Sequence, residues 1–547
     1  MSTGQSILLL HSHLPLVRHP EYDSFLEERW LFEAISETYL PLLRAMRNLE
    51  TDSIPFELAM SFSPTLSFML QDQFLLDRYA VYVRQNIELA ERELARTEDD
   101  PRQRKLAEMY RARYVQDLTD LDETYERNIL KGFSYFAKRG HVELLATAAT
   151  HAFLPNFRNY PETVSLQIEL GIECHQKNFG THPRGFWLPE CGYYEGLDTI
   201  LADAGVDYYI SAAHGVLFGS PSPANGTYAP VHTPGGVTAF PRDVYTATWV
   251  WSSEQGYPAD PAYRDFYRDI GYDLPLDYIR PYIHDDDIRI DTGFKYHAIT
   301  GDTDDKQLYD PEAAQLRVQA HARDFFQRQR EHVGRLREVL PSAPVITSPF
   351  DTELFGHWWF EGPQWLEELF RVAHTERTAA ENGDDSMGTL EMATPSRYLR
   401  EHGAAERIAP TFSSWGSNGY AEVWMDGSND WIYRHVHQAI ERMGELVARF
   451  PDESGLKERA LNQAAREVLL GMASDWPFIM NAHTVVPYAT RRIKEHLINF
   501  THVYDALSQR NMGTEWLTVL EKKHPIFAHL NYRRLKLASV ETIRHLM

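Results

Sequence analysis

SILLLHSH, residues 6–13, is an apolar run that ends abruptly in three polar side chains. A strand with one face in water alternates apolar and polar residues, whereas a strand covered on both faces is apolar throughout. The run therefore predicts a buried strand carrying His11 and His13 at its tip. Reading onward, a helical stretch covers about Phe25 to Met46, and Phe56–Phe62 reads as a second strand. From about Leu70 to Ala137 the pattern is long, charged and of helical period. The segment ELAERELARTEDDPRQRKLAEMYRARY (88–114) is rich in helix formers and breaks at Asp99-Asp100-Pro101. It predicts a helical hairpin inserted between strands, with a coiled-coil partner surface as the other reading. Further strands are expected at Val142–Thr147, Gly185–Leu188, Tyr208–Ser211, Val237–Phe240 and Val345–Ser348, each followed by helix-like sequence. That alternation implies a largely parallel α/β sheet, closed or nearly closed. The Gly/Pro/Ser-rich segment 212–236 is longer than ordinary connections and is expected to be a lid. After about Arg400 helices dominate.

At 547 residues the chain exceeds one compact core, so a large domain plus a smaller one is expected. Its apolar and charged fractions, 43% and 24%, are ordinary for a globular protein and exclude disorder as a reading. The formal charge of −24, without a basic stripe, argues against nucleic acid or an anionic membrane as partner. A neutral polymer meets no such repulsion, and the 12 Trp, 29 Tyr and 27 Phe suit a surface that stacks on sugar faces. Cys174 and Cys191 are the only cysteines, too few for a disulfide framework or a cysteine zinc site. No apolar run is long enough for a membrane span or a signal core. The expected location is the cytoplasm, and the oligomeric state is left open.

Four polar clusters stand at the ends of strand-like runs. In a parallel barrel, such ends converge on one face. His11 and His13 are two apart on a strand and so face the same side; His151 follows the strand Val142–Thr147. Glu190, in GFWLPECGYY (185–194), is a carboxylate on a strand tip among aromatic residues, although an exposed turn is the usual fate of a glutamate. Residues 351–361 hold Asp351, Glu353, Glu361, His357, Trp358 and Trp359 directly after an apolar strand, a density that structure alone does not explain.

Five segments in order carry a resemblance. HSHLPLVRHPE (11–21), GHVELLATAATHAFLP (140–155), WLPECGYYEGLD (187–198), SPFDTELFGHWWFEGPQWL (348–366) and SSWGSNGYAEVW (413–424) resemble the signature regions of glycoside hydrolase family 57, in particular its 1,4-α-glucan branching group. The resemblance implies an incomplete (β/α)7 barrel over residues 1–400, with the helical insertion at about 70–137. A helical domain over 401–547 would contribute to the glucan groove. It implies a retaining enzyme that cleaves α-1,4-glucan and transfers the segment to a 6-hydroxyl, with no metal or other cofactor. Glu190 becomes the nucleophile and Asp351 the general acid/base. His11, His13 and His151 become sugar contacts, Trp415 and Trp424 aromatic glucan contacts, and Asp475 in ASDWPF an acidic position supplied by the helical domain. Arg264, in YRDFYRD, falls in a block like one of the branching group, where substrate contact and a surface helix are both open. Packing between domains is the other reading for Trp415 and Trp424.

The chemistry is self-consistent without the resemblance. Retention requires one ionised carboxylate to attack the anomeric carbon and one protonated carboxyl to release the leaving oxygen, about 5–5.5 Å apart. An ordinary Asp titrates near 3.9, so Asp351 must be raised by about 2 units. Trp358 and Trp359 are expected to wall it, and an ionised Glu190 to repel its charge. Tyr228, Phe240 and Tyr245 are candidates for an aromatic on the lid. Other activities of the family, α-amylase and 4-α-glucanotransferase, share the same intermediate. A metal-dependent hydrolase is a rival, because two histidines on a first strand also suit zinc; a third ligand is then required, and no Asp closely follows His13. A glucan-binding protein without catalysis is the remaining rival.

Overall fold

The computed structural model describes residues 2–252, 255–284, 287–381, 389–404, 406–509 and 513–537. In chain order the strands are β1 (Ser2–Ser12), β2 (Leu58–Phe62), β3 (Val142–Thr147), β4 (Gly185–Trp187) and β5 (Tyr208–Ser211). They continue with β6 (Val231–His232), β7 (Thr238–Pro241), β8 (Val345–Asp351), β9 (Thr389–Met392) and β10 (Glu406–Arg407). Across the sheet the order is β10-β6-β7-β5-β4-β3-β2-β1-β8, and β9 also pairs with β1. Among the described strands, only β6 and β7 pair antiparallel. The predicted parallel sheet is therefore present, curled and open. Past the end of β7, the Asp243 N–H donates to the Thr347 carbonyl at 2.7 Å, and the Val345 N–H donates to the Tyr228 carbonyl at 2.8 Å. These isolated bonds bridge the gap where a closed barrel would have a ladder.

Sequence period explains the sheet's two cores. In β1 the even positions Leu8 and Leu10 join the large outer core beneath the helices. The odd positions Ile7 and Leu9 join an inner cluster with Ala59, Leu145, Trp187, Tyr208, Ile210, Phe240 and Val345. Both faces of the strand are thus dry, as its unbroken apolar run predicts. Phe240 belongs to this inner cluster, so it cannot serve as an aromatic on a lid.

The insertion read from the sequence holds helices Gln73–Arg96, Pro101–Thr119 and Leu130–Lys138. Asp100 caps the second of them by accepting from Arg102 N–H and Gln103 N–H, and Pro101 occupies the first helical turn, where no donor is needed. The hairpin packs on its own chain: Tyr110 donates its O–H to the Lys295 carbonyl at 2.8 Å. That contact serves a packed element in place of the coiled-coil surface. Towards the end of the chain, helices Trp431–Arg449, Leu456–Gly471, Asp475–Asn481, Val486–Gln509 and Thr514–Lys523 pack together.

The expectation of a lid at 212–236 is not met. Residues Ala213–Leu217 form a helical turn, β6 joins the sheet, and the buried Asn225 donates to Glu406 at 2.7 Å. Gly, Pro and Ser signalled a long connection correctly, but backbone pairing with β10 ties it down. The longer connection lies instead between β7 and the helix Pro311–Val339; its first part, from Arg242 to Trp251, borders the open end of the sheet, and Tyr278, Tyr282 and Lys295 further on meet the inserted helices.

Helix Pro161–Phe179 approaches β3 at Gly171, where a Cβ would lie 1.9 Å from the Thr147 carbonyl oxygen. Neither backbone can give way cheaply, so Gly171→Ala should destabilise the fold by about 1–3 kcal/mol. Chemical denaturation of the two proteins measures this, and equal stability would show that helix and strand can separate freely.

Candidate active site

The register of the sheet builds the site. His11 is paired with Ser61 of β2 on one side and with Asp351 of β8 on the other. Paired residues of neighbouring strands project to the same face, so these three side chains share the inner face at the tip of the sheet. There they border a cavity of about 590 Å³. Of the residues singled out in the sequence, His11, His13, His151, Glu190, Asp351, Trp358, Trp415, Trp424 and Asp475 all line it.

Glu190 follows β4 in a left-handed conformation (φ 61°, ψ 21°), and Cys191 and His151 also have positive φ, 51° and 54°. Such backbone costs a residue with a Cβ on the order of 1–3 kcal/mol and persists where the surroundings impose it. Here the surroundings are visible. The Trp415 N–H donates to the Glu190 carbonyl at 2.8 Å, and its indole Nε1–H donates to Glu190 Oε2 at 2.6 Å. Ser474 Oγ lies 2.8 Å from Glu190 Oε1. On the other side of Ser474, its N–H donates to the His151 carbonyl at 3.1 Å. Burial pushes the Glu190 carboxyl up to about 7, and the bonds from Trp415 and Ser474 hold it from rising further.

The three imidazoles stack. His13 lies 3.8 Å from His151 between ring centroids, and His11 lies 4.9 Å from His151. Every ring nitrogen has a protein partner: His11 touches Ser61 Oγ (2.7 Å) and His151 Nε2 (2.8 Å), His151 Nδ1 touches Ser474 Oγ (2.8 Å), and His13 touches Ser63 Oγ (2.8 Å) and Asp475 (3.0 Å). Burial, reinforced by the charge of His13, holds His11 and His151 well below the usual range. Burial opposes the charge on His13 as well, yet Asp475 outweighs it and raises that imidazole. Of the three, His13 is therefore the one whose surroundings favour the positive charge, beside Asp475.

Asp351 is held well above the ordinary carboxylate range by burial first, then by the charges of Glu353 and Glu190, with Arg242 opposing. Glu353 accepts from the Tyr39 hydroxyl and from the His13 N–H at 3.3 Å. Tyr39 ends a π-helical turn, Ile35–Tyr39, in the first long helix. Gly356 (φ 118°) fits against that turn, where a Cβ would fall 1.9 Å from the Glu37 carbonyl oxygen, and Glu37 accepts from His357 Nδ1 at 2.6 Å. The extra residue in the helix thus grips the loop that follows Asp351.

Two expected residues stand elsewhere. Arg264 does not border the cavity and is not a surface residue: its guanidinium is buried over the Phe360 ring, 4.0 Å from the centroid and 3.6 Å from Glu37. An arginine beside apolar and acidic neighbours was drawn into the packing under the loop. Trp359 packs in the outer core near Trp365, so it does not wall Asp351; Trp358, 56% exposed and stacked on Phe266 at 4.6 Å, is the member that borders the cavity. Conversely, Arg242, Val244, Trp251, Glu353 and Phe478 also line the cavity. Of these, Glu353 and Phe478 lay in segments the sequence marked, the latter in ASDWPF beside Asp475. Tyr228 is half-buried against the core, and the exposed Tyr245 packs on Trp249, so Trp251 is the aromatic of this connection that reaches the cavity.

Among the described residues, the cluster with spacing suited to a metal ion is Glu467, His496 and His524, all buried in the helical region. There both imidazole Nδ1 atoms meet the one carboxylate, at 2.8 and 2.7 Å, which ties three segments together. No helix among the described residues is long and apolar enough to cross a membrane.

Known proteins share this fold. Residues 7–411 match the family model for Glycosyl hydrolase family 57, and residues 435–535 match that for the C-terminal region of 1,4-alpha-glucan branching enzymes. A 1,4-alpha-glucan branching enzyme of Thermococcus kodakarensis is 30% identical over 92% of this chain and 74% of its own length. The crystal structure of the alpha-amylase AmyC from Thermotoga maritima superposes with a TM-score of 0.90 at 41% identity, over 99% of this chain and 100% of that one. A branching enzyme from Pyrococcus horikoshii gives 0.85 at 28% identity, over 98% and 97% of the two chains. With a family match across most of its length and a sheet-tip site to go with it, the chain belongs to glycoside hydrolase family 57 and is an enzyme of that family.

Proposed function

We propose that the protein is a 1,4-α-glucan branching enzyme working by retaining double displacement, with Glu190 as nucleophile and Asp351 as general acid/base. The observation that carries this reading is the contrast between the two carboxyls at one cavity. Glu190 is met by two hydrogen-bond donors, whereas Asp351 faces two other carboxylates. On deprotonation Glu190 therefore ionises first, and Asp351 keeps its proton. Pairs of titratable groups driven apart in this way divide the roles of base and acid.

In the first step an ionised Glu190 oxygen attacks the anomeric carbon while Asp351 gives its proton to the departing 4-oxygen. A glucosyl ester forms and the remaining chain leaves as an alcohol. Esterification removes the charge of Glu190, so Asp351 becomes more acidic and, now ionised, is ready to act as base. It takes the proton of an incoming 6-hydroxyl as that oxygen displaces Glu190, which leaves an α-1,6 link and restores both carboxyls. His13, fixed by Asp475, and His11 and His151 would border the sugar next to the cleaved bond. Trp358 and Trp415 offer faces for neighbouring rings, whereas Trp424, 1% exposed and stacked on Phe153 at 5.0 Å, is packed into the cavity wall, in keeping with its packing reading. The partner is an α-glucan such as amylose, with a glycogen-like product.

The match of residues 435–535 to the branching-enzyme C-terminal region and the likeness to branching enzymes support transfer over hydrolysis. The likeness to AmyC favours the second reading, α-amylase, in which water takes the intermediate. Incubation with amylose, followed by debranching and sizing of the chains, separates them. New short chains released only by debranching are expected; new reducing ends without α-1,6 links would establish the amylase reading.

Glu190→Gln and Asp351→Asn should each lower turnover by about a thousandfold or more while leaving the fold intact. Near-normal rates in either variant would remove that residue from its role. Glu353→Gln tests the electrostatic half of the reading. Asp351 must be protonated to act as acid, and the Glu353 charge helps to raise it. Removing that charge lowers the Asp351 pKa, so the alkaline limb of kcat/KM should move to lower pH. An unmoved limb would show that Glu353 does not set the proton affinity of Asp351.

A further inference from the structure

We infer that Ser474 is a positioning residue for Glu190, and that a hydrogen-bonded chain beginning at Ser61 on the far side of the site sets its direction. The inference rests on the reading of Glu190 as nucleophile. Ser61 Oγ, His11, His151, Ser474 Oγ and Glu190 Oε1 follow one another at 2.7, 2.8, 2.8 and 2.8 Å. All but Glu190 are almost wholly buried.

The direction of every bond follows from the inventory of protons. An ionised carboxylate only accepts, so Ser474 must spend its one hydroxyl proton on Glu190 Oε1. Its oxygen then accepts from His151 Nδ1–H. A neutral imidazole carries one N–H, so His151 Nε2 is bare and accepts from His11 Nε2–H. His11 Nδ1 is bare in turn and accepts from the Ser61 hydroxyl. The argument needs both imidazoles neutral, and their burial beside the charged His13 keeps them so.

Run in reverse, the same chain would turn the Ser474 proton away from Glu190. His151 would carry its proton on Nε2 and present a bare Nδ1, which competes for the Ser474 hydroxyl. Ser61 opposes this: its hydroxyl is buried and has no other hydrogen-bond partner among the described residues, so accepting from a His11 Nδ1–H would leave the serine proton unpaired. A serine on β2 with no contact to Glu190 thereby biases how Glu190 is held. The other groups facing Glu190 are Trp415, which holds the second oxygen, and His13 with Asp475, whose charges oppose one another. His151 Nδ1 lies 3.5 Å from Glu190 Oε1, farther than the Ser474 hydroxyl that both of them meet at 2.8 Å. Asp351 and Cys191 also face it; burial pushes the Cys191 thiol up to about 12, so it stays neutral.

The test compares Ser474→Ala, Ser61→Ala and the double variant on amylose, with kcat, KM and the pH profile of kcat/KM as readouts. A hydrogen bond to a charged group is worth about 1.5–3 kcal/mol, equivalent to a pKa change of about one unit or more. Ser474→Ala should therefore move the acid limb upward by about one pH unit and lower kcat about tenfold, with KM little changed. Ser61→Ala should move the same limb in the same direction by less. The double variant should match Ser474→Ala alone, because both substitutions break one chain. A wild-type acid limb in either single variant, or additive effects in the double, overturns the proposal. Retained activity in Glu190→Gln would instead overturn the nucleophile reading, whatever the serine variants do.

Discussion

Strand β1 is laddered along both edges and dry on both faces, and almost everything chemical in the molecule depends on its register. Its odd positions Ile7 and Leu9 fill the inside of the curled sheet, its even positions Leu8 and Leu10 the outside, and His11 continues the inner row. A slip of one residue would exchange the two rows. It would send His11 under the helices, away from Ser61 and Asp351. Because apolar packing on two faces resists that slip, the placement of an imidazole between a serine and a carboxyl is a consequence of the core. No local interaction at the tip has to enforce it.

The sheet nevertheless supplies only half of the site. β4 delivers Glu190, but the groups that hold its carboxylate, Trp415 and Ser474, come from beyond the last strand, and so does Asp475, which fixes His13. The anchoring is reciprocal: the Ser474 N–H bonds to the His151 carbonyl, and Thr150 donates to the Leu469 carbonyl at 2.6 Å. Strained backbone at His151, Glu190 and Cys191 marks where these two parts meet. The left-handed turns are held there by bonds that neither part can form alone.

The strands were legible because both faces of the sheet are apolar, and the carboxylates because strand tips of a parallel sheet point one way. His11 and His13 could be read as facing one side from their spacing, whereas His151 joined them only through the family resemblance. Arg264 could not be placed, since the sequence does not show that Phe360 and Glu37 come together around it. Trp358 and Trp359 are adjacent, and only the turn after Asp351 decides that one reaches the cavity and the other the core. The connection after β7 was missed for a related reason. Its turns are short and irregular, without a period, whereas Gly and Pro in 212–236 drew attention to a segment that β10 ties down. Ser61 carries no sequence signal and Ser474 only its place beside Asp475 in ASDWPF, because a serine acquires a role here only through the partners that register and docking supply.

The rim of the cavity bears on which acceptor reaches the intermediate. Val244, Ala247, Trp251, Trp358, Trp424 and Phe478 give it a largely apolar wall, while the polar groups gather at the floor. Water needs two to four polar partners to be held in place, and a wall of this kind offers few. A glucan ring presents an apolar face to an aromatic side chain and keeps its hydroxyls free for the floor. The sheet holds part of this wall, because the connection that carries Val244 and Trp251 is tied to β8 by Asp243 N–H on the Thr347 carbonyl and by Thr246 against Ser348, while Trp424 and Phe478 come from beyond the last strand.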